Sequence, residues 1–82
     1  MTAAELRESI VEILSDIAPD EDYENLKDDV PFKDQLGMDS MDMLDVVLGL
    51  RRRYKLAIPE ADYPNLTSMN STIEYLLPLL NK

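Results

Sequence analysis

Asp39-Ser40, directly ahead of an apolar-rich stretch, is the place in the chain where a hydroxyl has the best setting for chemistry. A serine that opens a helix has two uses. Its commoner one is structural, as an N-cap accepting from backbone N–H groups that lack an intrahelical partner. The same helix end, with its unpaired donors and positive dipole end, also favours a phosphate ester on the serine oxygen. As a self-activated nucleophile Ser40 lacks support, because the chain has no His and no Cys. That composition removes Ser-His and Cys-His pairs, imidazole and thiolate metal ligands, and disulfides. We therefore assign no catalytic residue and no metal site, and expect a protein that is not an enzyme.

A second constellation, Asp20, Asp22 and Glu24, has the alternation of a calcium loop. The glycine such a loop needs at its sharp turn is Asn25, and the position of its closing glutamate holds Pro31. This is a solvated acidic connection. Acidity runs through the whole chain, with 17 Asp and Glu against 8 Lys and Arg and a formal charge of −9. Such a surface excludes nucleic-acid backbones and anionic lipid as partners. The charge is also polarised: residues 1–45 carry 14 acids and 3 bases, residues 46–82 carry 3 acids and 5 bases. Met1 to Ile10 includes Glu5, Arg7 and Glu8 rather than a basic and then apolar leader, and no run of 18 apolar residues occurs. A soluble cytoplasmic monomer without membrane insertion is the expectation.

Eighty-two residues, 45% of them hydrophobic, suffice for one aliphatic core, so residues 1–82 are read as a single domain. Leu6, Ile10, Ile13, Leu14 and Ile17 share one helical face behind a Thr2/Glu5 capping box, which predicts a helix over about Ala3 to Asp16. From Pro19 a long connection follows, in which Leu26, Val30, Phe32 and Leu36 anchor a loop without a steady period. Gly37 allows a turn, Asp39 or Ser40 caps a second helix reaching about Tyr54, and Pro59 and Pro64 bracket one helical turn, Glu60 to Tyr63. Thr67 or Ser68 caps a last helix carrying Met69, Ile73, Leu76, Leu77 and Leu80, which Pro78 kinks or frays. The fold class is all-α, a small bundle of three main helices and one short one.

The second helix has more apolar surface than one contact buries. At about 100° per residue, Met43, Val46, Val47, Leu50 and Tyr54 form one stripe, and Met41, Leu44 and Leu48 form another well around the cylinder. Either the loop, through Phe32 and Leu36, folds over the second stripe, or that stripe is exposed for a partner. Asp42 and Asp45 flank it, giving the apolar centre and charged margin of a recognition surface.

At Phe32 to Met43, FKDQLGMDSMDM, the chain resembles the Phe-x-x-Asp/Glu-Leu-Gly-x-Asp-Ser-Leu-Asp signature of acyl carrier proteins. The order of the other segments, including Ile58-Pro59 and the Thr67-Ser68 cap, extends the resemblance over nearly the whole chain. It implies an acyl-carrier four-helix bundle. It also implies that Ser40, next to Asp39, bears a covalent 4'-phosphopantetheine, transferred from coenzyme A by a phosphopantetheinyl transferase. Acyl groups are then held as thioesters on the arm, which explains thiol chemistry in a chain without Cys. By the same resemblance Met41, Asp42, Leu44, Asp45 and Leu48 dock acyl-loading, condensing and acyl-transfer enzymes of fatty acid, lipid or specialised acyl biosynthesis.

Departures from the family pattern bear on partner choice. Where common fatty acid synthesis carriers have acids, this helix ends in Arg51, Arg52 and Arg53. These either complement the helix dipole or alter which enzymes dock. Met41 replaces the Leu after the serine; Met38 and Met41 are read as adaptable surface side chains, and Met43 as a core filler. Pro64 interrupts the short third helix. An aminoacyl or polyketide carrier, and an unmodified helical interaction module in which Ser40 only caps, are the alternatives.

Overall fold

A computed structural model describes residues 1–81, and among them there is no strand. Four α-helices, α1 (Ala3–Ile17), α2 (Phe32–Leu36), α3 (Ser40–Tyr54) and α4 (Met69–Leu80), are joined by a 3-10 segment at Glu60–Leu66. Helix α1 packs against both α3 and α4, and the 3-10 segment packs on α4. The all-α bundle is the expected one. Two short helical elements stand where one was expected.

Each long helix begins on a reciprocal cap. The Thr2 side chain accepts from the Glu5 N–H while Glu5 accepts from the Thr2 N–H, as the sequence indicated, and Ser68 makes the equivalent pair with Ser71 at α4. Leu6, Ile10, Ile13 and Leu14 of α1 meet Val46, Val47 and Leu50 of α3 and Met69 and Leu76 of α4 in one buried cluster. Gly49 lets α1 and α3 approach, since a Cβ there would lie 2.9 Å from Ile13 Cγ2.

The connection after α1 is more ordered than an anchored loop. Phe32–Leu36 is helical, opened by Pro31 and closed by Gly37 at φ 61°, a left-handed conformation that glycine adopts without steric cost. Five residues are too few to show a period, so a helix this short leaves no hydrophobic signature. The Gln35 side chain ties the preceding segment down, accepting from the Lys27 N–H and donating to the Lys27 and Val30 carbonyls. Asp28 accepts from Arg7 at 2.9 Å, its carbonyl accepts from the Asn70 N–H, and the Phe32 N–H donates to Thr67 at 2.7 Å. The acidic stretch folds as an Asx-turn, with the Asp22 carboxylate accepting from the Glu24 and Asn25 N–H groups and from the Asn25 amide.

Two proline expectations change in part, the fraying at Pro78 and the end of the short helical turn before Pro64. Pro78 lies inside α4, which continues to Leu80, and the Asn81 N–H still donates to the Leu77 carbonyl, so the end does not fray there. Pro64 lies inside the 3-10 segment, which runs three residues beyond the expected turn, to Leu66.

Candidate functional site

Ser40 is exposed and is the first residue of α3. The capping work falls to its neighbour. Asp39 Oδ1 accepts from the Asp42 N–H at 2.9 Å, and Asp42 Oδ2 accepts from the Asp39 N–H at 3.3 Å. Of the two expected cap candidates, Asp39 and Ser40, it is Asp39 that caps: the cap is an Asp–Asp box, to which the serine hydroxyl contributes no bond. Asp39 is extended at φ −95°, ψ −175°, so Ser40 takes the first helical position with its side chain outside the box.

Beside Ser40 a groove of about 700 Å³ runs between α3 and the 3-10 segment. Met43, Leu44 and Val47 form one wall, Tyr63, Pro64 and Leu66 the other, with Lys33 and Glu60 also lining it. The second wall is braced from behind. The Tyr75 hydroxyl on α4 donates to Asp62 Oδ2 at 2.6 Å, and this bond to a carboxylate, with some burial, pushes the phenol up to about 12. The 3-10 segment is therefore clamped to α4 while its opposite face borders the groove.

The stripes of α3 separate cleanly. Val46, Val47 and Leu50 are buried and Met43 and Tyr54 pack against the core as expected, whereas Met41 is 75%, Leu44 44% and Leu48 37% exposed. Phe32 and Leu36 do not cover the second stripe, because both are inside the core, with Phe32 at 0% exposure. Met38, read as a surface side chain, is buried too. Asp45 and, in part, Asp42 are exposed beside the strip. Of the arginines, Arg53 forms an ion pair with Glu12 of α1, while Arg51 and Arg52 are exposed and, among the described residues, form none. Sequence reasoning missed Tyr63, Pro64 and Leu66 as groove residues, since nothing in their spacing marks a face.

A protruding, cap-free serine at a helix start next to an apolar groove suits a chain that bears a covalent arm, and the comparisons with known proteins bear on which. The family model described as phosphopantetheine attachment site matches residues 4–76. The chain belongs to the acyl carrier protein family. It is similar to the acyl carrier protein of Chlorobium phaeobacteroides, 27% identical over 78 residues that span 94% of this chain and 97% of that one. The acyl carrier protein of Chlorobium luteolum is 28% identical over the same shares. A mitochondrial acyl carrier protein of Neurospora crassa is 29% identical over 68 residues, 83% of this chain, which spans about half (51%) of that longer protein. Family members are non-catalytic carriers, and the group this carrier bears is a covalent 4'-phosphopantetheine. Among the described residues no helix is long and apolar enough to cross a membrane.

Proposed function

We propose that Ser40 is the attachment residue, and that the chain, as one carrier domain, presents acyl intermediates to the enzymes of an acyl-biosynthetic route. The observation that carries this is the division of labour at the start of α3, where Asp39 holds the cap and leaves the Ser40 oxygen exposed. In the loading reaction that oxygen attacks the phosphopantetheine phosphorus of coenzyme A. The Oγ–P bond forms as the diphosphate bridge breaks, adenosine 3',5'-bisphosphate leaves, and a phosphopantetheinyl transferase removes the hydroxyl proton. Asp39 acts as a positioning residue, fixing Ser40 at the first helical position, where the dipole favours the resulting phosphodiester.

When attached, the arm's terminal thiol supplies the thioester linkage that the chain's own residues cannot make. The groove walled by Met43, Leu44, Val47, Tyr63, Pro64 and Leu66 gives an apolar cargo a place to withdraw from water. Met41, Leu44 and Leu48 supply the apolar contact for acyl-loading, condensing and acyl-transfer enzymes, and Asp42, Asp45, Arg51 and Arg52 the charges that orient them. Incubation of the phosphopantetheinylated chain with an acyl-coenzyme A and an acyl transferase tests the reading. It predicts an acyl mass increment that neutral hydroxylamine removes. A stable increment, or none, would count against it.

A further inference from the structure

Charge divides the exposed face of α3. Asp42 and Asp45 lie in its first two turns and Arg51 and Arg52 in its last. At about 100° per residue Asp45 and Arg52 fall within roughly 20° of each other, along one edge of the Met41–Leu44–Leu48 strip, with Arg51 on the other edge. At about 1.5 Å per residue they stand roughly 10 Å apart, beyond the Debye length of about 8 Å at physiological ionic strength. A docking partner therefore meets two local fields of opposite sign. Two depressions flank Leu48. One, of about 700 Å³ between α1 and α3, has Asp16, Asp42 and Asp45 in its lining and reaches Arg52 and Arg53 at its far end. The other, of about 470 Å³, is formed by Leu48, Arg51, Arg52, Lys55, Leu56 and Ala57, with no acid in its lining.

Dipole complementarity explains cations in a last turn, and Arg53 already serves there while bound to Glu12. It does not explain two further arginines, without an ion pair among the described residues, beside an exposed apolar strip. A partner with a wholly basic face would match Asp42 and Asp45 and be repelled at Arg51 and Arg52, where it would bring like charges together. A second copy laid antiparallel would match both ends, but a charge of −9 on each chain opposes that pairing.

We propose that the enzyme docking on α3 has a divided face, with a basic cluster over Asp42 and Asp45 and an apolar projection bearing carboxylates seated among Leu48, Arg51, Arg52, Lys55 and Leu56. The carrier reading supplies only the kind of partner, an acyl-handling enzyme; the divided field belongs to α3 itself. The test uses the full chain as substrate for a phosphopantetheinyl transferase whose docking face is wholly basic. It compares wild type with the Arg51→Glu/Arg52→Glu variant, both exposed positions, on that enzyme. It then repeats the comparison on an enzyme variant with two Lys→Glu changes at the end of the face that meets the last turn of α3.

On the basic enzyme the double variant should show a KM about tenfold lower than wild type, and the charge-reversed enzyme should invert that order, both effects collapsing at about 0.5 M salt. Equal KM values for the two chains on both enzymes would overturn the divided-face proposal. So would sedimentation of the wild-type chain as a dimer that the double variant dissociates, which would make a second copy the occupant. Failure of the carrier reading looks different: no chain would be modified by either enzyme at any concentration.

Discussion

Val47 and Leu48 are adjacent in α3 and have opposite fates: Val47 is 3% exposed and sits in the core, Leu48 is 37% exposed and borders two depressions. The same contrast holds for the stripes they belong to. Hydrophobic residues on the Val46–Val47–Leu50 side are explained by α1, which packs against α3, and by the core cluster they share with Met69 and Leu76 of α4. Those on the Met41–Leu44–Leu48 side stay exposed, with nothing among the described residues covering them. Residue type is the same on both sides, so what separates a fold-forming face from a binding face is whether other elements of the chain reach it. Phe32 and Leu36, the residues that might have reached the second strip, are used up in the core.

The largest effect that would break or support this contrast is on stability. Leu50→Ala should cost about 2–5 kcal/mol, the transfer term plus a cavity, in urea unfolding followed by circular dichroism. Leu48→Ala should stay within about 0.5 kcal/mol of wild type and instead raise the KM of docking enzymes. Equal losses in stability would erase the distinction between the stripes.

Gly49 sharpens the contrast where the helices touch. On an exposed face, Gly→Ala in mid-helix is worth about 1 kcal/mol in favour of Ala. Here the new methyl would meet Ile13, which is buried and branched at Cβ, so Gly49→Ala should lower stability by about 1–3 kcal/mol. A rise of the propensity amount would show that α1 and α3 have room to spare.

Much of the fold was legible in the residues because it was written in periods and caps. The faces of α1 and α4, the Thr2/Glu5 box and the Gly37 turn all leave a local signature. Helix α2 did not, since it spans barely more than one turn and is held by the Gln35 side-chain bonds to Lys27 and Val30 and by the Phe32 N–H donating to the Thr67 carbonyl, from a distant part of the chain. At the site, Asp39 and Ser40 were both readable as caps. Only the geometry assigns the job to Asp39, because neighbouring cap-type residues are equivalent until a backbone places one of them ahead of the helix. Likewise Arg51, Arg52 and Arg53 read as one run, and tertiary packing alone separates Arg53, which reaches Glu12, from the two that face outward.

The cap supplies the next prediction. Asp39→Ala should cost about 1 kcal/mol and Ser40→Ala close to nothing, since the capping bonds end on Asp39. A loss of similar size from Ser40→Ala would return the serine to a structural role.

The smallest expected effect concerns the wall behind the groove. Tyr75 has its phenol raised to about 12 by the bond to Asp62, so the folded chain holds that proton more tightly than the unfolded one. Its contribution to stability is complete below about pH 10, the ordinary tyrosine value, and is lost as pH rises toward 12. Urea midpoints should fall over that window in wild type and less steeply in Tyr75→Phe. Parallel curves would mean that the clasp between α4 and the 3-10 segment is not formed in solution.

The central claim is that Ser40, relieved of capping, carries the arm. Intact-mass spectrometry after incubation with coenzyme A and a broadly acting phosphopantetheinyl transferase tests it most directly. Wild type should gain the mass of one phosphopantetheine, and Ser40→Ala, folded and of equal stability, should gain none. An unmodified wild-type chain, or the same gain on Ser40→Ala, would contradict the account.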